Sequence, residues 1–356
     1  MPAVQPPATV LVTGANGFVG SWIVRRLLDA GFTVHGVVRS AGKGKDLEAV
    51  FAREVREGRF RLVVVPDICV VGAFDEPVRH VDAIVHTASP NIPGAPDNDP
   101  EHVIRPALDG TLGIMRSALA HGKHVKRIVF TGTGGTILQP NPDRSHMYSA
   151  DEYNDHAIET VKREGKRTPF VVQYYAAKTM ADRAVWEFVR DKRPQFDAVI
   201  LLPPAIIGPE ILPKKRVLDL NESNVRLFKR YADPFPETRL ARDAFPWIDI
   251  RPNADAHVQA LLREGVSNRR LAIHNSATSN QAYFDAYHAL NPAPLPFEVT
   301  RGKPGVDAHV KLINARDDSE LLGVKLTSLE ESVRDTLSYI VNSGLIDSYT
   351  PPKAKL

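Results

Sequence analysis

Short aliphatic and β-branched runs alternate with longer amphipathic stretches from Thr9 to about Pro204. The runs read TVLVTG, TVHGVVR, RLVVVPD, DAIVHTA, KRIVFTG and DAVILLPPA. Between them lie patterns with helical spacing, such as GSWIVRRLLDAG, VIRPALDGTLGIMRSALAHG and YYAAKTMADRAVWEFVRD. Strands that alternate with helices in this way predict an α/β fold in which helices cover both faces of a doubly wound parallel sheet.

The alternation weakens after Pro204. The chain there carries proline-rich connections, a helical DIRPNADAHVQALLREG, a strand-like RRLAIHNSA and a final helix in SLEESVRDTLSYIVNSG. We therefore predict a nucleotide-binding domain over residues 1–204, which also takes in parts of 245–275. Residues 205–244 and 276–356 are predicted to form a smaller C-terminal substrate-binding domain.

Composition excludes several classes of partner. The 356 residues include 45 basic and 42 acidic side chains, a net charge of +3, without a basic block that would predict nucleic-acid binding. No apolar run is long enough to span a bilayer, and the first residues do not form a signal peptide, so we expect a cytoplasmic protein without membrane contact. The single cysteine, Cys69, is interpreted as a small buried residue.

Three glycines follow the first predicted strand. TVLVTGANGFVG places Gly14, Gly17 and Gly20 between that strand and a predicted helix. Glycine allows backbone to turn sharply and approach a pyrophosphate, whose charge is stabilised by the free amides of the helix N-terminus. The motif predicts a Rossmann-type sheet that binds a dinucleotide. A tight turn without a ligand is the alternative.

Basic residues follow the second predicted strand, where an acidic residue would select NAD. The stretch VVRSAGKGKDL has Arg39 and Ser40 at this place and Lys43 close behind. A guanidinium and an ammonium suit a 2′-phosphate, so the sequence predicts NADPH/NADP+. A solvated basic turn remains the alternative. Asp67, in VVVPDI, is a candidate for the adenine amino group or for capping the next segment.

A tyrosine and a lysine share one face of a predicted helix. In VVQYYAAKTMADRAVWEF, Tyr174 lies four residues before Lys178, and Tyr175 lies three residues before it. A phenol has a pKa near ~10, so a nearby cation is needed to favour its ionised form. We expect Lys178 to supply that cation and to hold the nicotinamide ribose. An ordinary amphipathic helix is the alternative.

With both motifs in place, the chain resembles the extended short-chain dehydrogenase/reductases. Within them it looks most like the branch of dihydroflavonol reductases, cinnamoyl-CoA reductases and fungal aldehyde/ketone reductases. The segments that carry the resemblance are TGANGFVG, VRS, PDI, VHTASP, PALDGT, YYAAK, PPAIIGP, WIDIRPNADAHV and LLGVKLTSLEESVRDTL. They run nearly from end to end of the chain.

The resemblance implies a serine–tyrosine–lysine site in which tyrosine protonates a carbonyl oxygen and NADPH delivers hydride. Tyrosine and lysine carry over to Tyr174 and Lys178. The implied cofactor contacts are Gly14, Asn16, Gly17, Phe18, Val19, Arg39, Lys43, Asp67, Ile68, Thr87, Ala88, Ser89, Tyr174, Lys178, Pro203 and Ile206. The implied substrate contacts are Ser89, Pro90, Thr133 and Tyr174.

The family serine does not carry over. VFTGTGGT has Thr131, Gly132 and Thr133 where the family usually has Thr-Ser-Ser, so the catalytic hydroxyl falls on Thr133. Thr131 lies two residues earlier and would project from the same strand face, so it competes for the role. The glycines of this stretch are interpreted as a strand end without a phosphate. His86, in VHTASP, is interpreted as strand packing, and His146 and His156 predict no metal site.

These motifs lead to an NADPH-dependent carbonyl reductase that acts on a small aldehyde or ketone, as a monomer or homodimer. Two alternatives stay open. One is an NAD-dependent hydroxysteroid or nucleotide-sugar dehydrogenase or epimerase of the same fold. The other is a non-catalytic NADP-sensing regulator, against which the retained tyrosine and lysine argue.

Overall fold

The computed structural model describes residues 3–89, 97–140, 146–241, 245–305 and 314–351. The strands in these ranges are β1 (Thr9–Thr13), β2 (Thr33–Val38), β3 (Phe60–Val64), β4 (Ala83–His86), β5 (Arg127–Thr131), β6 (Met147–Tyr148), β7 (Asp197–Leu202), β8 (Ala205–Ile207), β9 (Phe245–Asp249), β10 (Arg269–Ala272), β11 (Asn275–Thr278) and β12 (Asn314–Ala315). The helices are α1 (Phe18–Asp29), α2 (Ala41–Val50), α3 (Ala52–Arg56), α4 (Glu101–His121), α5 (Asp155–Glu164), α6 (Phe170–Lys192), α7 (Glu222–Ala232), α8 (Ile250–Leu262), α9 (Asn280–His288), α10 (Ser319–Leu322) and α11 (Leu329–Asn342).

Seven parallel strands form the main sheet, in the order β10, β7, β5, β4, β1, β2, β3. The chain builds outward from β1 to β3 and then crosses back to β4 on the other side of β1. The order therefore reverses between β1 and β4, and open α/β sheets bind ligands outside the carboxyl ends of strands at such a point. The predicted fold class, a doubly wound Rossmann-type sheet, is confirmed.

Both faces of the sheet are covered because the strands carry apolar residues at consecutive positions. Val10 and Val12 of β1 belong to a buried cluster with residues of α1 and α8. Leu11, between them, belongs to a second cluster with residues of α4 and α6. Helix α6, which carries the predicted tyrosine and lysine, is thereby held against β5 and β7.

The C-terminal part contributes a smaller sheet and a third core. Strands β8 and β9 pair in parallel, and β11 pairs with β9 in antiparallel orientation. Helices α7, α9 and α11 pack together through a buried cluster that includes Phe228, Phe284 and Leu337. Strand β10 and helix α8 pack with the main sheet, in keeping with the share of 245–275 assigned to the nucleotide-binding domain. The domain division itself stays a prediction.

None of the helices in the described ranges is both long enough and apolar enough to cross a membrane.

Candidate active site

The glycine turn joins β1 to α1 at the point where the strand order reverses. Gly14 has a φ of +67°, and a Cβ there would lie 3.0 Å from Thr87 Oγ1. A Cβ on Gly20 would lie 2.2 Å from the Gly14 carbonyl oxygen. Helix α1 has Gly17 at its N-cap, and no side chain of the described residues caps it, which leaves its first amides available to an anionic group. The close approach of the backbone at Gly20 to that at Gly14 fits the predicted binding site for a pyrophosphate.

Thr13 fastens the ends of β1 and β4 together beside this turn. Its Oγ1 accepts hydrogen bonds from the amides of Thr87 (3.1 Å) and Ala88 (3.0 Å). With both amides donating, the hydroxyl proton is left for His86 Nδ1, at 3.0 Å. Burial, together with the Lys178 charge, lowers the pKa of His86 to about 3. His86 is therefore neutral and serves strand packing rather than acid catalysis.

The residues predicted to bind the adenosine half lie around the ends of β2 and β3. Arg39, Ser40 and Lys43 are exposed where β2 leads into α2, and neither basic side chain forms an ion pair with another described residue. Asp67 Oδ1 accepts a hydrogen bond of 2.9 Å from the Cys69 amide, so Asp67 does cap the next segment. Cys69 is only partly buried, contrary to the sequence-based interpretation.

Helix α6 brings Tyr174 and Lys178 to the carboxyl end of β5, next to Thr133. Lys178 Nζ donates to the Thr131 carbonyl oxygen at 3.2 Å. Thr133 lies two residues after the end of β5 and caps a short 3₁₀ turn over Gly134–Thr136, where its Oγ1 accepts a hydrogen bond from the Gly135 amide at 3.3 Å. The structure thus places the three predicted catalytic side chains around one point.

The protonation state of the phenol differs from the sequence-based expectation. Burial raises the pKa of Tyr174 to about 12, Tyr175 adds to the increase, and the interaction with the Thr133 hydroxyl opposes it. Burial also lowers the pKa of Lys178, against the opposing charge of Asp182. The ammonium turns to the Thr131 carbonyl, so the expected lowering of the phenol pKa by Lys178 is not seen here. A neutral phenol is nevertheless the form that donates a proton.

Thr131 and Thr133 do not share a face, which corrects the expected competition between them. The Thr131 hydroxyl lies 2.8 Å from His257 Nε2, toward α8. His257 Nδ1 donates to the Asn253 carbonyl at 2.7 Å, and burial lowers the pKa of His257 to about 4, so its Nε2 is an acceptor. The Thr131 proton is committed to that bond, while the Thr133 hydroxyl faces Tyr174 on the opposite helix layer.

Two of the glycines after β5 have packing roles that the sequence did not predict. A Cβ on Gly135 would lie 2.2 Å from two ring carbons of Tyr175, so only glycine allows this ring to rest on the turn. A Cβ on Gly132 would lie 2.8 Å from Leu202 Cδ2 in β7. A Cβ on Gly134 would make only ordinary van der Waals contact, with Pro204 Cα at 3.6 Å. The turn that carries Thr133 is thereby pressed against both α6 and β7.

A small cavity lies between the carboxyl end of β4 and the Lys178 side of helix α6. Its lining includes His86, Ala88, Ser89, Thr131, Lys178 and Asp182. Ser89 is partly buried at this place, whereas Pro90, the other predicted substrate contact after β4, lies outside the described residues. Pro203 accepts from the Gly134 amide at 2.9 Å through its carbonyl, and Ile206 packs on the core beneath the glycine turn.

Sequence reasoning missed Asp182, Arg270 and Thr136, which lie behind the catalytic side chains. Asp182 Oδ2 accepts from Arg270 Nη2 at 3.1 Å, and the same nitrogen donates to Thr136 Oγ1 at 2.8 Å. One signal was available, since Asp182 lies four residues after Lys178 on the same helix face. Arg270 comes from a strand far along the chain, and no local pattern indicates it.

The sequence profile of the NAD dependent epimerase/dehydratase family matches residues 10–273. The chain belongs to this family. The resemblance to the extended short-chain dehydrogenase/reductases is thereby confirmed.

Individual members of the family resemble the chain over most of its length. The ketoreductase azaE of Aspergillus niger is 32% identical over 90% of this chain and 97% of its own. The NADPH-dependent methylglyoxal reductase GRE2 of Saccharomyces cerevisiae is 28% identical over 94% of this chain and 98% of its own. A crystal structure of the yeast methylglyoxal/isovaleraldehyde reductase Gre2 complexed with NADPH superposes with a TM-score of 0.80 at 26% identity, covering 95% of this chain and 99% of that one.

Proposed function

We propose that this chain reduces a small aldehyde or ketone to the alcohol with NADPH, and that Tyr174 donates the proton. One observation carries the proposal: Tyr174, Lys178 and Thr133 converge at the carboxyl end of β5, beside the crevice at which the strand order reverses. The relatives confirm the predicted enzyme class and cofactor, an NADPH-dependent oxidoreductase that acts on carbonyl groups.

The cofactor site is assigned to residues along the carboxyl edge of the sheet. The free amides at the start of α1 would hold the pyrophosphate, and Gly14 keeps the backbone close enough to do so. Arg39 and Lys43 would bind the 2′-phosphate, since both cations are exposed at the end of β2. The remaining predicted contacts would surround the adenine and nicotinamide ends: Asn16, Phe18, Val19, Asp67, Ile68, Thr87, Ala88, Ser89, Pro203 and Ile206.

When bound, NADPH supplies the hydride, and the side chains of this chain supply the proton and the orientation. Tyr174, neutral because burial keeps its pKa near 12, would donate its hydroxyl proton to the carbonyl oxygen as negative charge develops there. Thr133 would donate a second hydrogen bond to that oxygen, and the two donors together would stabilise the developing oxyanion. Lys178 would hold the nicotinamide ribose through its ammonium, and so fix the cofactor beside Tyr174.

A threonine in place of the family serine preserves this chemistry and narrows the pocket. The hydroxyl keeps its donor and acceptor, while the added methyl group restricts the first side-chain torsion. Ser89, at the end of β4, lines the neighbouring cavity together with Lys178. These walls are compatible with a compact carbonyl compound, and methylglyoxal, the substrate named for the yeast relative, is the first candidate.

The proposal is tested by following NADPH oxidation by the purified chain with methylglyoxal, aromatic aldehydes, diketones, ketoesters and flavanonols. We expect turnover with at least one of these compounds, equimolar formation of the alcohol, and weaker activity with NADH. Tight NADPH binding without reduction of any of them would contradict the proposal and favour a cofactor-sensing protein.

A further inference from the structure

We infer that Asp182 and Arg270 are positioning residues of the reductive site: Asp182 keeps the Lys178 ammonium charged, and Arg270 anchors the turn that carries Thr133. The inference rests on the proposed function for its kinetic consequence. Its structural basis is a continuous set of contacts from α6 to β10.

Groups from four elements surround Lys178, and only some of them are charged. Tyr174 and Asp182 flank it on α6, His86 faces it from β4, the Thr131 carbonyl from β5, and Arg270 lies beyond Asp182 on β10. His86 is neutral, as shown above. Asp182 is the one carboxylate in the cavity lining, among the residues that the structure describes, and its charge opposes the lowering of the Lys178 pKa by burial.

The ion pair with Arg270 keeps Asp182 ionised. Asp182 and the Arg270 side chain are both buried, with side-chain exposures of 6% and 4%. Burial raises the pKa of Asp182, and the charges of Arg270 and Lys178 oppose that increase. A carboxylate between two cations in a water-excluded place stays ionised, and its field acts on Lys178 with little screening.

Arg270 also contacts the turn that carries Thr133, through the Thr136 side chain. Its Nη1 donates to the carbonyl oxygens of Ala150 and Glu152, each at 2.6 Å, and its guanidinium lies 4.1 Å from the ring centre of Tyr153. Its Nη2 donates to Thr136 Oγ1, whose own proton goes to the Thr133 carbonyl at 2.9 Å. Arg270 therefore fixes the backbone of Thr133 and the segment 150–153 from a single side chain.

A second buried pair in the chain provides a matched control. Arg127 binds Asp197 through two hydrogen bonds of 2.6 and 2.7 Å, and its Nη1 donates to the carbonyls of Ala260 and Arg263. This pair lies at the amino ends of β5 and β7, at the opposite edge of the sheet from Thr133. Asp182→Asn and Asp197→Asn each remove the carboxylate of a buried arginine–aspartate pair. Asp182 lies inside the candidate site, and Asp197 lies far from it.

The experiment measures the titration of Lys178 directly, by pH-dependent labelling with an amine reagent and mass spectrometry of the cofactor-free protein. In Asp182→Asn we expect the titration midpoint of Lys178 to fall by about one pH unit, because an opposite charge has been lost. Asp197→Asn should lower the unfolding temperature comparably and leave the midpoint unchanged. An unchanged midpoint in Asp182→Asn would overturn the inference, whether or not the protein reduces carbonyls.

The kinetic readout is the pH profile of kcat/KM. At alkaline pH the rate falls as Lys178 loses its proton. This limb of the profile should move to lower pH in Asp182→Asn, return toward the wild-type position in Asp182→Glu, and keep the wild-type position in Asp197→Asn. Should Asp182→Asn not fold, Asp182→Asn combined with Arg270→Gln leaves no buried guanidinium without a counter-ion. It should shift the limb in the same direction but by less, because a like charge near Lys178 is lost together with the opposite charge. A wild-type chain without activity would reject the proposed function, whereas an active chain whose limb does not move would reject this inference alone.

The proposed anchoring of the Thr133 turn by Arg270 is tested by substitution of Thr136, which links the two residues. Thr136→Val breaks the link to the Thr133 carbonyl and should lower kcat about tenfold, or roughly 1.4 kcal/mol. The alkaline limb should move much less than in Asp182→Asn, because no charge is lost and only a hydrogen bond near Asp182 is removed. Thr136→Ser keeps the hydroxyl and should restore kcat. Equal losses in the two variants would contradict a role for the hydroxyl.

Discussion

If Thr133 carries the catalytic hydroxyl, valine at position 133 should mainly lower activity, whereas valine at position 131 should mainly lower stability. Thr133→Val keeps the side-chain shape and deletes a donor aimed at the developing oxyanion. Loss of one such donor lowers kcat by about 10²–10³-fold, or roughly 3–4 kcal/mol of transition-state stabilisation. The unfolding free energy should change only moderately, because Thr133 is partly buried and its hydroxyl accepts one long hydrogen bond of 3.3 Å besides its hydrogen bond with Tyr174.

Thr131→Val is the matched variant, with the opposite expected result. Its hydroxyl donates at 2.8 Å to His257, which is fully buried. The substitution leaves His257 Nε2 without a donor, which costs about 1–3 kcal/mol of unfolding free energy. We therefore expect a lower unfolding temperature with kcat close to that of the wild type.

The assay is steady-state NADPH oxidation with the best carbonyl substrate, run beside thermal unfolding of each variant. The pattern that supports the assignment is a large loss of kcat with only a moderate change in stability for Thr133→Val, and a loss of stability with kcat close to that of the wild type for Thr131→Val. If Thr131→Val were the variant that lost activity while Thr133→Val remained active, the catalytic hydroxyl would be two residues earlier than proposed.

Three further predictions concern the cofactor, the turn and pH. Arg39→Ala should raise the Kd of NADPH about tenfold, the loss of one charge-assisted contact, and leave that of NADH unchanged; equal effects on both would contradict the 2′-phosphate assignment. Gly135→Ala should lower the free energy of unfolding by about 1–3 kcal/mol through overpacking and should lower kcat, while Gly134→Ala, whose Cβ meets no atom closer than 3.6 Å, should have a mild effect in a denaturation series. His86 and His257 have folded-state pKa values of about 3 and about 4, below the ordinary 6.5. The unfolded chain thus binds more protons, so the free energy of unfolding should fall as the pH drops from about 6.5 to 4, and a flat profile would contradict their neutral burial.

The sequence predicted the main sheet well because its strands are short apolar runs and its helices have regular spacing. All six runs named before Pro204 overlap a strand of the parallel sheet, and five of them contain the whole strand. The seventh strand, β10, follows a long interruption, so its place beside β7 depends on contacts between distant parts of the chain. Such pairing is not encoded in local periodicity.

The candidate site was predictable where one helix or one turn supplies the residues. Tyr174 and Lys178 follow from helical spacing, and Gly14 follows from its position after β1. The faces of Thr131 and Thr133 were not predictable from strand alternation, because the chain leaves the sheet after Thr131 and enters a 3₁₀ turn. Arg270 was missed because its hydrogen bonds go to four residues in other segments of the chain, which no local pattern indicates.

Tyr174 and its neighbour Tyr175 permit the most direct test of the central claim. The two phenols are adjacent on α6, with ring centres 5.9 Å apart, and only the Tyr174 hydroxyl interacts with Thr133 among the contacts described above. The measurement is kcat for carbonyl reduction by Tyr174→Phe and Tyr175→Phe, with the Kd of NADPH determined for both. The account predicts that Tyr174→Phe abolishes reduction and still binds NADPH, while Tyr175→Phe remains active. Normal turnover by Tyr174→Phe would contradict it.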